Sequence, residues 1–208
     1  MKIELLFITP EAEKLIESAG RTSYLSFDKQ GKDSEKRFVR MLIKRGHTSV
    51  LEHAYATFRI SEISRALTHQ LVRHRFCSIT QQSQRYIDEK SFHYIEPTSI
   101  KSNSEAHALF INLMERIRIA YIELKNLGIK KEDARFVLPN ATESQLVLTA
   151  NLREWRHIIE LRGDFAAQWE IRKMVIKILE ILKQNVPTVF EDFKIIEEKN
   201  IIQRLDFE

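Results

Sequence analysis

Apolar and polar positions change rhythm several times along this chain. Met1 to Thr9 alternates loosely and predicts a strand. Pro10 to Ala19 follows with helical spacing, Pro10 near its start and Gly20 at its end. Ser34 to Arg45 repeats apolar residues at Phe38, Met41 and Leu42 before Gly46, a second helix, and Ala54 to Ile60 is strand-like. Ser64 to His74 reads as a helix whose apolar positions Leu67, Leu71 and Val72 leave His69, Gln70, Arg73 and His74 on other faces. Ser78 to Arg85 has no period and predicts a loop.

The second half is dominated by helices. A short strand is expected at Phe92 to Ile95, then a long helix over Ser104 to Leu127 stopped by Gly128. Thr142 to Ala150 alternates like a strand, Leu152 to Leu161 returns to helical spacing, and Ala166 to Gln184 is an amphipathic helix ending before Pro187. Strands separated by long helices imply an α/β or α+β domain, with no internal repeat and no linker-like stretch to split it. A single domain over 1–208 is therefore expected.

Composition narrows the class. Hydrophobic residues make up 43% and charged residues 30% of 208, the balance of a folded soluble protein. No apolar run approaches bilayer length and the N-terminus lacks a signal pattern, so the expected location is the cytoplasm, with no membrane partner. The lone Cys77 agrees with a reducing compartment and excludes an internal disulfide. The net charge of +4 favours anionic partners without choosing among them. Five glycines, at 20, 31, 46, 128 and 163, allow neither common Gly-rich phosphate loop, so any phosphate must be held by side chains and helix ends.

One stretch stands apart: "RHRFCSITQQSQRY", residues 73–86, gathers three arginines with Ser78, Thr80, Ser83 and three glutamines. Guanidinium forks bind phosphate oxygens in bidentate fashion, and short hydroxyls add donors beside them. An anion pocket stands against the alternative of a solvated basic loop. Two further clusters favour the pocket. "GHTSVLEHA" sets His47 and His53 around Glu52, and "NLREWRHIIELRGD" arrays Asn151, Arg153, Arg156, His157 and Arg162 on one helix, with 153 and 157 on a shared face. No HExxH or close His/Cys/Asp triad is present, so no metal is expected. Trp155, Trp169 and the stripe of the last long helix read as core or subunit interface.

The order Arg73-His74-Arg75, seven residues, Ser83 resembles the signature of the flavin-dependent thymidylate synthases. "GHTSVLEHAYATFRI", "SRALTHQLVRHR", "QQSQRY" and "LRGDFAAQWEIR" stand in that family's order and approximate spacing, over roughly residues 20 to 190. The resemblance implies a mixed α/β fold with a central, mostly antiparallel sheet packed by long helices, and a homotetramer whose sites are shared between subunits. It implies FAD held by His47, Ser49, Arg73, His74, Arg75, Gln81, Asn151, Leu152, Arg153 and His157. It implies dUMP held by Gln70, Leu71, Val72, Arg73, Gln81, Gln82, Ser83, Gln84, Arg85, Arg135 and Arg162, with the phosphate against Ser83, Arg85 and Arg135. The implied reaction is reductive methylation of dUMP to dTMP, with 5,10-methylenetetrahydrofolate as carbon donor, NADPH reducing the flavin, and Arg162 as the catalytic cation at the uracil ring.

Two residues tempt as nucleophiles. Ser83 neighbours glutamines and arginine rather than a base, so it reads as a binding residue. Cys77 falls within the seven variable positions and reads as packing. The competing classes are a nucleic-acid-binding module built on the same arginines, and a flavin enzyme with another acceptor. The first predicts affinity for polymer with a steep salt dependence, where the enzyme binds a mononucleotide and a yellow cofactor. Uracil-ring discrimination would separate the second.

Overall fold

The computed structural model describes residues 1–205. In chain order it forms β1 (Lys2–Ile8), α1 (Ala12–Thr22), α2 (Ser34–Lys44), β2 (Tyr55–Ser64), α3 (Arg65–Leu71), β3 (Cys77–Gln81), α4 (Thr98–Lys101), α5 (Ser104–Asn126), α6 (Lys131–Ala134), β4 (Glu143–Asn151), α7 (Leu152–Gly163), α8 (Trp169–Asn185), β5 (Phe193–Ile196) and β6 (Ile201–Arg204). An antiparallel four-stranded sheet has the order β1-β2-β4-β3, and β5 pairs with β6 as an antiparallel hairpin, Phe193 opposite Arg204. The fold is thus the expected mixed α/β class.

The described residues group into two compact units, one of residues 1–60, 71–79 and 147–205 and the other of 61–70 and 80–146. In the first, α7 and α8 bury Trp155, Ile158, Ile159, Ile171, Met174, Val175, Ile178, Leu179 and Leu182. Trp155 is core, meeting Phe58 edge-on at 5.1 Å and donating Nε1–H to the Ala56 carbonyl at 3.0 Å; Trp169 stays partly exposed. The Leu152 amide donates to the Ala54 carbonyl at 2.8 Å, which fixes where α7 begins. In the second unit α5 is capped by Asn103, whose Oδ1 accepts from the amides of Glu105 and Ala106, and it ends at Asn126, with Gly128 at φ +84° just beyond its C-cap Leu127.

Several expected boundaries move. Gly20 lies inside α1 rather than after it: a β-carbon there would meet the Phe38 ring at 2.6 Å, so the glycine lets α1 and α2 approach. The helix expected to reach His74 stops at Leu71, and the segment expected as a loop begins with β3. Its alternation is real but polar, with Cys77, Ile79 and Gln81 half-buried and Ser78 and Thr80 exposed. The strand expected at Phe92–Ile95 is a single bridge, Tyr94 opposite Thr142. The hairpin of β5 and β6 was not expected; it packs on α7, where Gly163 leaves room for Ile202.

Candidate active site

The first unit holds a cleft of about 710 Å³ lined by Glu52, Arg73, His74, Arg75, Phe76, Asn151, Arg153, Glu154, His157, Leu161 and Arg162. Seven of the residues singled out from the sequence therefore meet: Arg73, His74, Arg75, Asn151, Arg153, His157 and Arg162. Leu71, fully buried, anchors the turn, and the His74 amide donates to its carbonyl at 3.1 Å. On α7, positions 153 and 157 share the cleft face as the four-residue spacing requires. Asn151 caps that helix, its Oδ1 accepting from the Glu154 amide at 2.8 Å.

At the centre is His74, 5% exposed. Arg162 donates Nε–H to its Nε2 at 3.0 Å, the Glu154 carboxylate lies 3.4 Å from its Nδ1, and the His157 ring stands edge-on at 5.6 Å. Burial first, then the Arg162 cation and His157, pushes the His74 pKa down from 6.5 to about 4, so the ring is neutral near pH 7. The contact with Glu154 is thus an N–H facing a carboxylate, not an ion pair. Burial holds the Glu154 carboxyl above its usual range, and holds Arg162 below its own. Burial, with Glu154 nearby, pushes the Cys77 thiol up to about 12. His74, Glu154 and His157 also offer three ligand atoms within 4.8 Å of one another. Both His74 nitrogens are engaged and one faces a guanidinium, which opposes a cation there.

Other expected residues are placed elsewhere. His47 and Ser49 are exposed around the turn 48–53, which sends Glu52 to the cleft, where it accepts from Arg153 at 2.5 Å. Val72 is exposed, Leu152 is core, and Arg156 faces away from the cleft. Both Arg156 Nη atoms donate to Asp192, and Nη1 also donates to the Val189 carbonyl. Arg156 therefore leaves the polar cluster and becomes a structural bridge.

The second unit carries the rest. Gln81 donates to Thr68 at 3.2 Å and Ser144 at 3.1 Å; the Gln82 amide donates to the Gln145 carbonyl at 2.9 Å. Ser83 Oγ accepts from the Arg85 amide, and the Arg85 Nε stands 3.6 Å from Glu132. Gln84 is 6% exposed, with its Nε2 buried and without a hydrogen-bond partner among the described residues. Arg135 Nε donates to the Glu132 carbonyl, and Gln70 is half-buried at the end of α3. Arg65, half-buried and not singled out in the sequence, is held below the usual arginine range by burial and by the Arg135 charge.

Glu154, Phe76 and Leu161 were also missed on the cleft wall. Residues 154, 157 and 161 lie on one helical face, the signal that places Glu154 with His157.

Fold and cleft together define a mixed α/β protein with an arginine-rich cleft. The family described as "Thymidylate synthase complementing protein" matches residues 4–188. The chain is 41% identical over 200 residues to the flavin-dependent thymidylate synthase of Geobacter sulfurreducens, covering 92% of this chain and 86% of that protein. It is 38% identical over 201 residues to that of Corynebacterium diphtheriae, covering 88% and 80%. In fold it is similar to thymidylate synthase X from Helicobacter pylori, solved with FAD and dUMP: TM-score 0.78, 24% identity, 92% of this chain and 98% of that one. This chain belongs to the flavin-dependent thymidylate synthase family.

Proposed function

We propose that this protein is an FAD-dependent thymidylate synthase that converts dUMP to dTMP by reductive methylation, without a protein nucleophile. The observation that carries this reading is the meeting of Arg73, His74, Arg75, Asn151, Arg153, His157 and Arg162 in one cleft of a chain of this family. The donor set suits FAD: three guanidinium forks and the amide end of α7 match a pyrophosphate, and Phe76 and Leu161 add apolar wall. Bound FAD, reduced by NADPH, supplies hydride chemistry, with the one-carbon unit coming from 5,10-methylenetetrahydrofolate.

The protein's own residues orient and polarise. Arg162, its Nε anchored on His74, is assigned to uracil N3 and O2, where a fixed cation stabilises the charge that builds as the N3 proton leaves. Ser83, Arg85 and Arg135 are assigned to the dUMP phosphate; the buried unpartnered amide of Gln84 is suited to an acceptor-rich ligand. The raised Cys77 thiol supports a mechanism without a cysteine nucleophile.

We read residues 1–208 as one catalytic domain, since the family match runs through both units. A homotetramer with shared sites is supported by exposed apolar side chains such as Tyr24, Leu25, Phe76, Leu109 and Phe136, which an assembly would cover. No helix among the described residues is long and apolar enough to cross a membrane. The assignment to the cytoplasm is supported by the single free cysteine, Cys77, which suits a reducing compartment. Nucleic acid and metal are not assigned as partners.

The test is reconstitution with FAD followed by addition of dUMP, 5,10-methylenetetrahydrofolate and NADPH. Flavin absorbance retained on the protein and dUMP-dependent reoxidation of the reduced cofactor are expected; protein left colourless would refute the reading. Arg162→Ala should keep FAD and lose turnover, whereas wild-type rates would remove Arg162 from the chemistry.

A further inference from the structure

Glu154 has no part in the assignments above, yet its carboxylate is buried in the middle of the site. The residue is 8% exposed, in the first turn of α7, and faces His74 Nδ1 at 3.4 Å. The nearest arginine in sequence, Arg153, pairs with Glu52 instead. A carboxylate taken out of water is costly, so this position spends stability that an apolar side chain would not.

The geometry around His74 shows what that carboxylate does. Arg162 Nε carries a hydrogen and no lone pair, so at 3.0 Å His74 Nε2 must accept. The neutral ring then carries its proton on Nδ1, the nitrogen facing Glu154. Carboxylate, imidazole and guanidinium stand in series through one ring, with His157 edge-on beside it. We infer that Glu154 is a positioning residue: it holds His74 as the Nδ1–H tautomer in a fixed ring orientation, and through His74 it aims the Arg162 guanidinium. This inference rests on the assignment of Arg162 to the uracil ring. A carboxylate beyond the imidazole also makes Nε2 a stronger acceptor, which tightens its hold on Arg162.

The test uses the FAD-loaded enzyme and the variants Glu154→Leu and Glu154→Gln. Long-range proton–nitrogen NMR of 15N-labelled protein reads the His74 tautomer, and steady-state kinetics reads kcat and the KM for dUMP. Glu154→Leu is expected to blur the Nδ1–H pattern into a tautomer mixture and lower kcat roughly 10- to 100-fold, the scale of a misaimed catalytic group, with KM changed by less than about threefold. Its melting temperature should not fall, which a merely structural role would require. Glu154→Gln keeps an acceptor oxygen and should recover the wild-type tautomer and most of kcat. An unshifted His74 spectrum with wild-type kcat in Glu154→Leu overturns the inference, as does an equal loss in both variants. If the wild-type protein makes no dTMP, the functional reading fails, and the His74 spectrum still decides on Glu154.

Discussion

Asp192 holds both terminal nitrogens of Arg156 at 2.6 Å, with the pair almost wholly buried. Arg156 is on α7, so this grip fixes the helix that carries Arg153, Glu154, His157 and Arg162. The pair also receives Arg204 Nε at 3.2 Å from β6, and the Arg156 guanidinium lies over the Phe193 ring.

Removing one side of that pair leaves a buried charge alone. Asp192→Ala should lower unfolding stability by about 3–5 kcal/mol in urea denaturation. Glu191→Ala, which breaks the more exposed pair with Arg40, should cost about 1 kcal/mol or less. Equal costs would contradict the structural role given to Arg156.

The hairpin of β5 and β6 presses on α7 at one glycine. A β-carbon on Gly163 would meet the Ile202 Cβ at 2.6 Å. Gly163→Ala should therefore cost about 1–3 kcal/mol by overpacking. In the Ile202→Ala background the same change should cost much less, because the clash is with that side chain; additive costs would show that the two residues do not touch.

His74 sets a pH dependence of the flavin-free protein. Its folded pKa, about 4, lies below the ordinary 6.5, so the unfolded chain binds the proton more tightly. Stability from this group is complete above pH 6.5 and is lost as pH falls toward 4, with a slope of at most about 1.4 kcal/mol per pH unit. Glu154, raised by burial, acts in the opposite sense, favouring the fold at low pH. Denaturation of the wild type and His74→Gln at pH 7, 6 and 5 separates the two: the decline should be shallower in the variant, and an unchanged slope would contradict a buried neutral His74.

Cys77 gives a chemical check. With its thiol pushed up to about 12, almost no thiolate exists at pH 8, so alkylation by iodoacetamide should be far slower than for free cysteine. Cys77→Ala should retain turnover. Fast alkylation, or loss of turnover in Cys77→Ala, would reopen covalent catalysis.

The long elements were legible because their period is apolar: α2, α5, β4, α7 and α8 lie within a few residues of the expected spans. β3 was not, because its alternation is carried by Ser78, Thr80 and Gln81, which look like loop chemistry until the neighbouring strand supplies the partners. The terminal hairpin is two four-residue strands, Phe193–Ile196 and Ile201–Arg204, too short for a period to declare itself. In the site, the arginines and His157 were found because their density is unusual. Glu154 was not, since an acidic residue in a helix's first turn ordinarily serves the helix dipole in water. Only the tertiary placement of His74 turns that carboxylate inward. Arg156 is the converse, polar in sequence and sequestered by an aspartate 36 positions away.

The most direct test of the whole account is a single turnover. Protein carrying reduced FAD is mixed, without oxygen, with dUMP and 5,10-methylenetetrahydrofolate, and nucleotides are separated by chromatography. dTMP equal to the flavin oxidised, and none when dUMP is replaced by dCMP, is the expected result. Flavin oxidised without dTMP, or dTMP formed without flavin, would contradict it.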